Sequence, residues 1–178
     1  EADRDHQDRA LDRGIVAGAD RGNTISWAAL AQHLEDSGDH ANAGAVEAWR
    51  QAALQAETRH SFDDAARCFN RALQIAGPVD PNSKERAHLL LELATAQIRA
   101  GDLDAGRRNS SEAFRIGEAR DDPQLLADAA LTYGNIFTFG CVDPRLVGQL
   151  KAALARLGAG EIERRARLQA RLAAAMQP

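Results

Sequence analysis

Aromatic side chains are scarce in this sequence, at 4% of 178 residues, and β-branched runs are almost missing. Ala and Leu dominate a composition that is 44% hydrophobic. Sheets draw their cores from β-branched and aromatic residues, so this balance excludes an all-β fold and predicts helices. Lysine is nearly absent too. Lys84 and Lys151 are the only two, arginine supplies the rest of the 22 basic side chains, and neither lysine follows a Gly-rich turn. A phosphate loop is thereby excluded, and the arginine bias reads as the mark of a high-GC genome. A net charge of −4 gives no reason to expect nucleic-acid binding.

Cysteine is limited to Cys68 and Cys141, with no framework around them. Both are expected to be reduced thiols, which suits a cytoplasmic protein. No apolar run reaches about 18 residues and the N-terminus carries no apolar signal region, so neither membrane insertion nor secretion is expected. Catalytic patterns are missing as well. No Ser or Cys sits in a nucleophile elbow. His33 with His40, and the loose set Glu57, His60 and Asp64, lack metal-ligand spacing. The arginines at 164, 165, 167 and 171 read as a solvated helix face, with an acidic partner as the alternative. No enzyme activity, metal or cofactor is expected.

What is present is a helix pair, WRQAALQAETRHSFDDAARCFNRALQIAGP, from Trp49 to Pro78. Trp49, Ala52, Ala53 and Ala56 share one helical face, and Ala65, Phe69 and Ala72 share another. A turn at His60-Ser61 joins the two. Trp49 and Phe69 are large where Ala53, Ala65 and Ala72 are small, so the helices can approach closely. The spacing then recurs. Ala53 and Ala72 are 19 residues apart, as are Ala94 and Ala113, and Gly134 and Ala153, with 41 and 40 residues between successive pairs. A second register agrees, since RAHLLLELATA from Arg86 matches RARLQARLAAA from Arg165, 79 residues on.

Trp49, Ala53, Ala65, Phe69, Ala72 and Pro78 together resemble the tetratricopeptide repeat, although the period near 40 residues exceeds the usual spacing of about 34. The resemblance implies an all-α, right-handed solenoid of antiparallel helix pairs with about eight helices. Residues 1–23 read as a lead-in, poorly structured or with one short helix, and 24–178 as the repeat domain. Within it, repeats are expected at about 42–80, 83–121 and 123–158, with partial repeats at both ends. Thr24 is a candidate cap for a first helix with Trp27, Leu30, Ala31 and Leu34 inward. Gly101-Asp102 turns the chain, with Leu103 expected behind the turn, and Asp122-Pro123 and Asp143-Pro144 each start a helix. Leu126, Ala130, Tyr133, Gly134 and Phe137 form one inward stripe; Leu146, Leu150, Ala153, Leu154 and Leu157 form the next.

In stacked helix pairs the first helices line a concave surface, and their side chains away from the packing face meet the ligand. Counted from Ala53, Ala94 and Gly134, those positions are Glu47, Arg50 and Glu57, then His88, Leu91 and Arg99, then Asp128, Leu131 and Asn135. Their mixed polarity suits a peptide or protein segment, another domain of the same polypeptide included. The last helix, Ile162 to Met176, lacks a following partner, so Leu168, Leu172 and Met176 are expected to mediate weak self-association as a homodimer about a two-fold axis. The equivalent Leu93 is expected against the helix carrying Ala113.

Over a longer span, the chain resembles the large ATP-binding regulators of the LuxR family, known chiefly in actinobacteria. The similar stretches are LAQHLEDSGD from Leu30, AWRQAALQAETRHSFDDAARCFNRALQ, RAHLLLELATAQIRAGDLDAGRR, and DPQLLADAALTYG followed by DPRLVGQLKAALARLG. The resemblance implies a helical-repeat middle segment of a transcriptional activator, often of secondary-metabolite gene clusters, with the ATPase and helix-turn-helix modules elsewhere. The chain itself is then expected to bind neither ATP nor DNA. Its opening at Glu1 without Met, and a helical pattern running to the end, fit a fragment of a longer protein. A repeat segment of a signalling ATPase or nucleotide cyclase, and a free-standing scaffold, are the alternatives.

Overall fold

The computed structural model describes residues 26–37, 43–77, 80–135 and 142–177. These form eight α-helices and no strand: α1 (Trp27–Asp36), α2 (Ala43–Thr58), α3 (Phe62–Ala76), α4 (Lys84–Ala100), α5 (Leu103–Arg120), α6 (Pro123–Gly134), α7 (Pro144–Arg156) and α8 (Ile162–Ala175). The lead-in, Thr24, Pro78, Phe137 and Cys141 lie outside the described residues.

Local chemistry sets the boundaries. The Ser26 and Ser83 hydroxyls cap α1 and α4, accepting from the Ala29 and Arg86 N–H groups. The carboxylates of Asp102, Asp122 and Asp143 do the same for α5, α6 and α7. At three helix ends the chain reverses through one left-handed residue: His60, Gly101 and Asp121 have φ of +59°, +91° and +50°. The N–H after each donates five residues back, Ser61 to the Ala56 carbonyl, Asp102 to Gln97 and Asp122 to Gly117. The next helix then starts at once.

Each helix packs on its successor, and α4 also packs on α6 and α6 on α8. Ion pairs join α2 to α4, so the even-numbered helices are linked in one row. The alanines at 53, 72, 94, 113 and 153 are completely buried, and Gly134 is buried with them. Gly106 and Gly117, in α5, are further crossing points. A Cβ at Gly106 would lie 2.5 Å from Ile98 Cγ1, and one at Gly117 would lie 3.1 Å from Leu126 Cδ2. The core falls into two clusters, one of Ala53, Ala65, Phe69, Leu93 and Ala96, the other running from Ala87 and Leu90 through Ile116, Leu126 and Leu150 to Leu168. Leu73 packs against both.

Three expectations need correction. Leu93 is buried against Ala53, Ala65 and Phe69, in a different cluster from Ala113, because α4 packs on α3 as well as on α5. Leu103 opens α5 and is 42% exposed, since Asp102 caps the helix directly in front of it. Leu168 is completely buried where α8 meets α6 and α7, and Leu172 packs at the edge of the same cluster. Leu168 therefore has no surface to offer a second copy. Met176 is 55% exposed, and so is the outer flank at Ile162, at 75%.

Candidate functional site

The even-numbered helices present a groove made of two recesses that share Leu91 and Glu92. The first recess, about 470 Å³, lies between α2 and α4 and is lined by Val46, Glu47, Arg50, Glu85, His88 and Leu89 beside the shared pair. The second, about 360 Å³, is lined from α2, α4, α6 and α8, with Phe69 of α3 at its base. Leu54, Phe69, Leu91 and Leu131 give it apolar walls, and Glu57, Thr95, Arg99, Asp128, Thr132, Asn135 and Arg167 give it a polar rim. All nine expected positions line one recess or the other, and six of them share the register that aligns Ala53, Ala94 and Gly134. Glu47, Arg50 and His88 line the first recess, Glu57, Arg99, Asp128, Leu131 and Asn135 line the second, and Leu91 belongs to both.

Arg50, Glu57, Glu92, Arg99 and Asp128 are engaged in ion pairs across the helices. Arg50 donates from Nε and Nη2 to the Glu92 carboxylate at 2.6–3.0 Å, and Glu47 lies 3.6 Å away. Glu92 holds the Arg50 guanidinium protonated well above its ordinary range; burial opposes this and is outweighed. Arg99 donates to Glu57 at 3.3 Å and lies over the Phe62 ring at 5.5 Å. Arg164 donates to Asp128 at 3.2 Å and to Glu161 at 2.9 Å. These pairs are partly exposed, so each contributes about 1 kcal/mol or less to stability. Their larger consequence is geometric, because they tie α2 to α4 and α6 to α8. Arg50 and Arg99 therefore shape the groove before they contact any partner.

Glu92, Thr95 and Arg167 were missed in the sequence. A signal for Arg167 was present: the match of RAHLL to RARLQ puts it at the register of His88, and the small-residue register adds Glu47 and Asp128. Glu92 carried no such signal, since only its contact with Arg50 marks it.

A second hollow, about 640 Å³, opens among α1, α2 and α3 beside Trp49, Ala52 and Ala56. Its rim is closed by ion pairs of Arg71 with Glu35 and of Arg67 with Asp64. Cys68 lies in its wall, and burial first, then Asp64, pushes the thiol up, so it is a poor nucleophile. Among the described residues no group of three His, Cys, Asp or Glu side chains is placed to hold a metal, and no helix is long and apolar enough to cross a membrane. No protein-family model matches the chain, and no curated protein matches it.

Proposed function

We infer that this chain is a protein-interaction module, a right-handed stack of tetratricopeptide-like helix pairs that holds a peptide segment of another protein or of a neighbouring domain. Nine residues chosen from the sequence as first-helix positions away from the packing face line one groove with apolar walls and a polar rim, and that convergence carries the assignment. Recesses of this volume sit near the lower end of the range that accepts small ligands, about 300–1,000 Å³, and suit a few side chains of a bound segment. With no catalytic constellation in the sequence, the module works by binding.

The resemblance to the large LuxR-type regulators supplies the setting. In it the module is cytoplasmic, lies between an ATPase and a helix-turn-helix, and passes a binding event to transcription of a gene cluster. ATP and DNA are handled by those other modules. The chain alone should then neither hydrolyse ATP nor prefer a promoter; a specificity ratio above about 10³ for one DNA sequence at physiological salt would contradict this.

The direct test is site-specific photo-cross-linking in the intact protein. A photoreactive residue at position 131, inside the groove, should join a defined peptide segment, identified by mass spectrometry. The same group at position 67, on the far side of α3, should not. Adducts at 67 without adducts at 131 would move the binding surface and overturn the assignment.

A further inference from the structure

The two ends of the groove carry opposite uncompensated charge. In the first recess Arg50 is committed to Glu92, Glu47 shares that arginine at longer range, and Glu85 has no cation within ion-pair distance among the described residues. That end is acidic. In the second recess Glu57 is answered by Arg99, and Asp128 shares Arg164 with Glu161. Arg167, exposed on α8, has no acid within ion-pair distance among the described residues. That end is basic. Between them lie Leu91, shared by both recesses, and Leu54, Phe69 and Leu131.

We propose that the groove takes a dipolar peptide, with a basic side chain against Glu85 and Glu47, apolar side chains over Leu91 and Leu131, and an acidic side chain against Arg167. This rests on the groove being the binding surface and adds the chemistry of its occupant. Charge complementarity at both ends fixes the direction in which the segment lies as well as its composition. Apolar contact supplies most of the affinity, and the ends supply selectivity.

Three short synthetic peptides that share a central leucine pair test the proposal by fluorescence anisotropy. One has lysine at one end and glutamate at the other, one has glutamate at both ends, and one has lysine at both. The dipolar peptide should bind best, by about threefold or more per matched end, the scale of an exposed ion pair. Glu85→Lys should shift the preference to the peptide with two acidic ends, and Arg167→Glu to the peptide with two basic ends. Both positions are exposed, so these variants fold. Equal binding of all three peptides, weakened throughout by Leu131→Ala, would overturn the dipolar ligand and leave the groove standing. No binding, or binding indifferent to Leu131→Ala in a variant whose circular dichroism is unchanged, would overturn both.

Discussion

Ala72 shows what a single residue does in this protein. It is completely buried on α3, and at that position a methyl group lets a neighbouring helix approach. Ala72→Leu would add three carbons where there is no room, and should cost about 1–3 kcal/mol. Urea titration of the two proteins measures it, and a loss below about 0.5 kcal/mol would mean that the crossing is not tight. The alanines of each crossing were legible in the sequence because close packing demands small residues at a fixed spacing. Gly106 and Gly117 were not, since both lie off that spacing and only the approach of Ile98 and Leu126 explains them. The Tyr133 hydroxyl was also illegible. It donates to Asp143 Oδ2 at 3.0 Å, while Asp143 Oδ1 accepts from the Arg145 and Leu146 N–H groups, so one carboxylate caps α7 and ties it to α6.

At the scale of the element, the Asp-Pro starts of α6 and α7 could be read directly, because Asp caps and Pro suits the first turn. The turns at His60 and Asp121 were harder to anticipate as left-handed, since neither residue is Gly; tertiary packing of the helices on either side holds them there. Asp122 is the cap with the clearest electrostatic signature. Burial pushes its carboxyl up, but the Leu125 N–H, Lys84 at 3.0 Å and the Gln124 N–H outweigh burial and hold it below the ordinary carboxylate range. A carboxyl held low in the fold stabilises it above the unfolded-chain value, about 3.9 for Asp, and the contribution is lost as pH falls through the folded-state value. Asp122→Ala should therefore cost about 0.5–2 kcal/mol near neutral pH. The gap from the unchanged protein should narrow on acidification. Thermal melts across that range measure both, and a gap that stays constant below about pH 4 would show that the carboxylate's charge is not what stabilises α6.

On the scale of the whole molecule, a row of four helices and a groove along it follow from one repeated pattern. The pattern is strong in α2, α4 and α6 and half kept in α8. Leu168 is buried as Leu89 is, whereas Ala173, at the place of the buried Ala94, is exposed. So α8 packs inward like its predecessors and leaves its outer face open. The groove was legible as a set of positions, yet its electrostatics were not. Only the fold reveals that Arg50 and Arg99 spend their charge on Glu92 and Glu57, leaving Arg167 and Glu85 free for a partner.

That groove is the centre of the account, and the segment captured by a cross-linker at position 131 provides its most direct measurement. Titration calorimetry would compare binding of that segment to the chain and to the double variant Leu91→Ala, Leu131→Ala. Both side chains are only partly buried, so the variant should remain folded. Losing two apolar contacts at the middle of an interface should weaken binding about tenfold or more. An affinity unchanged by the double substitution would contradict the account.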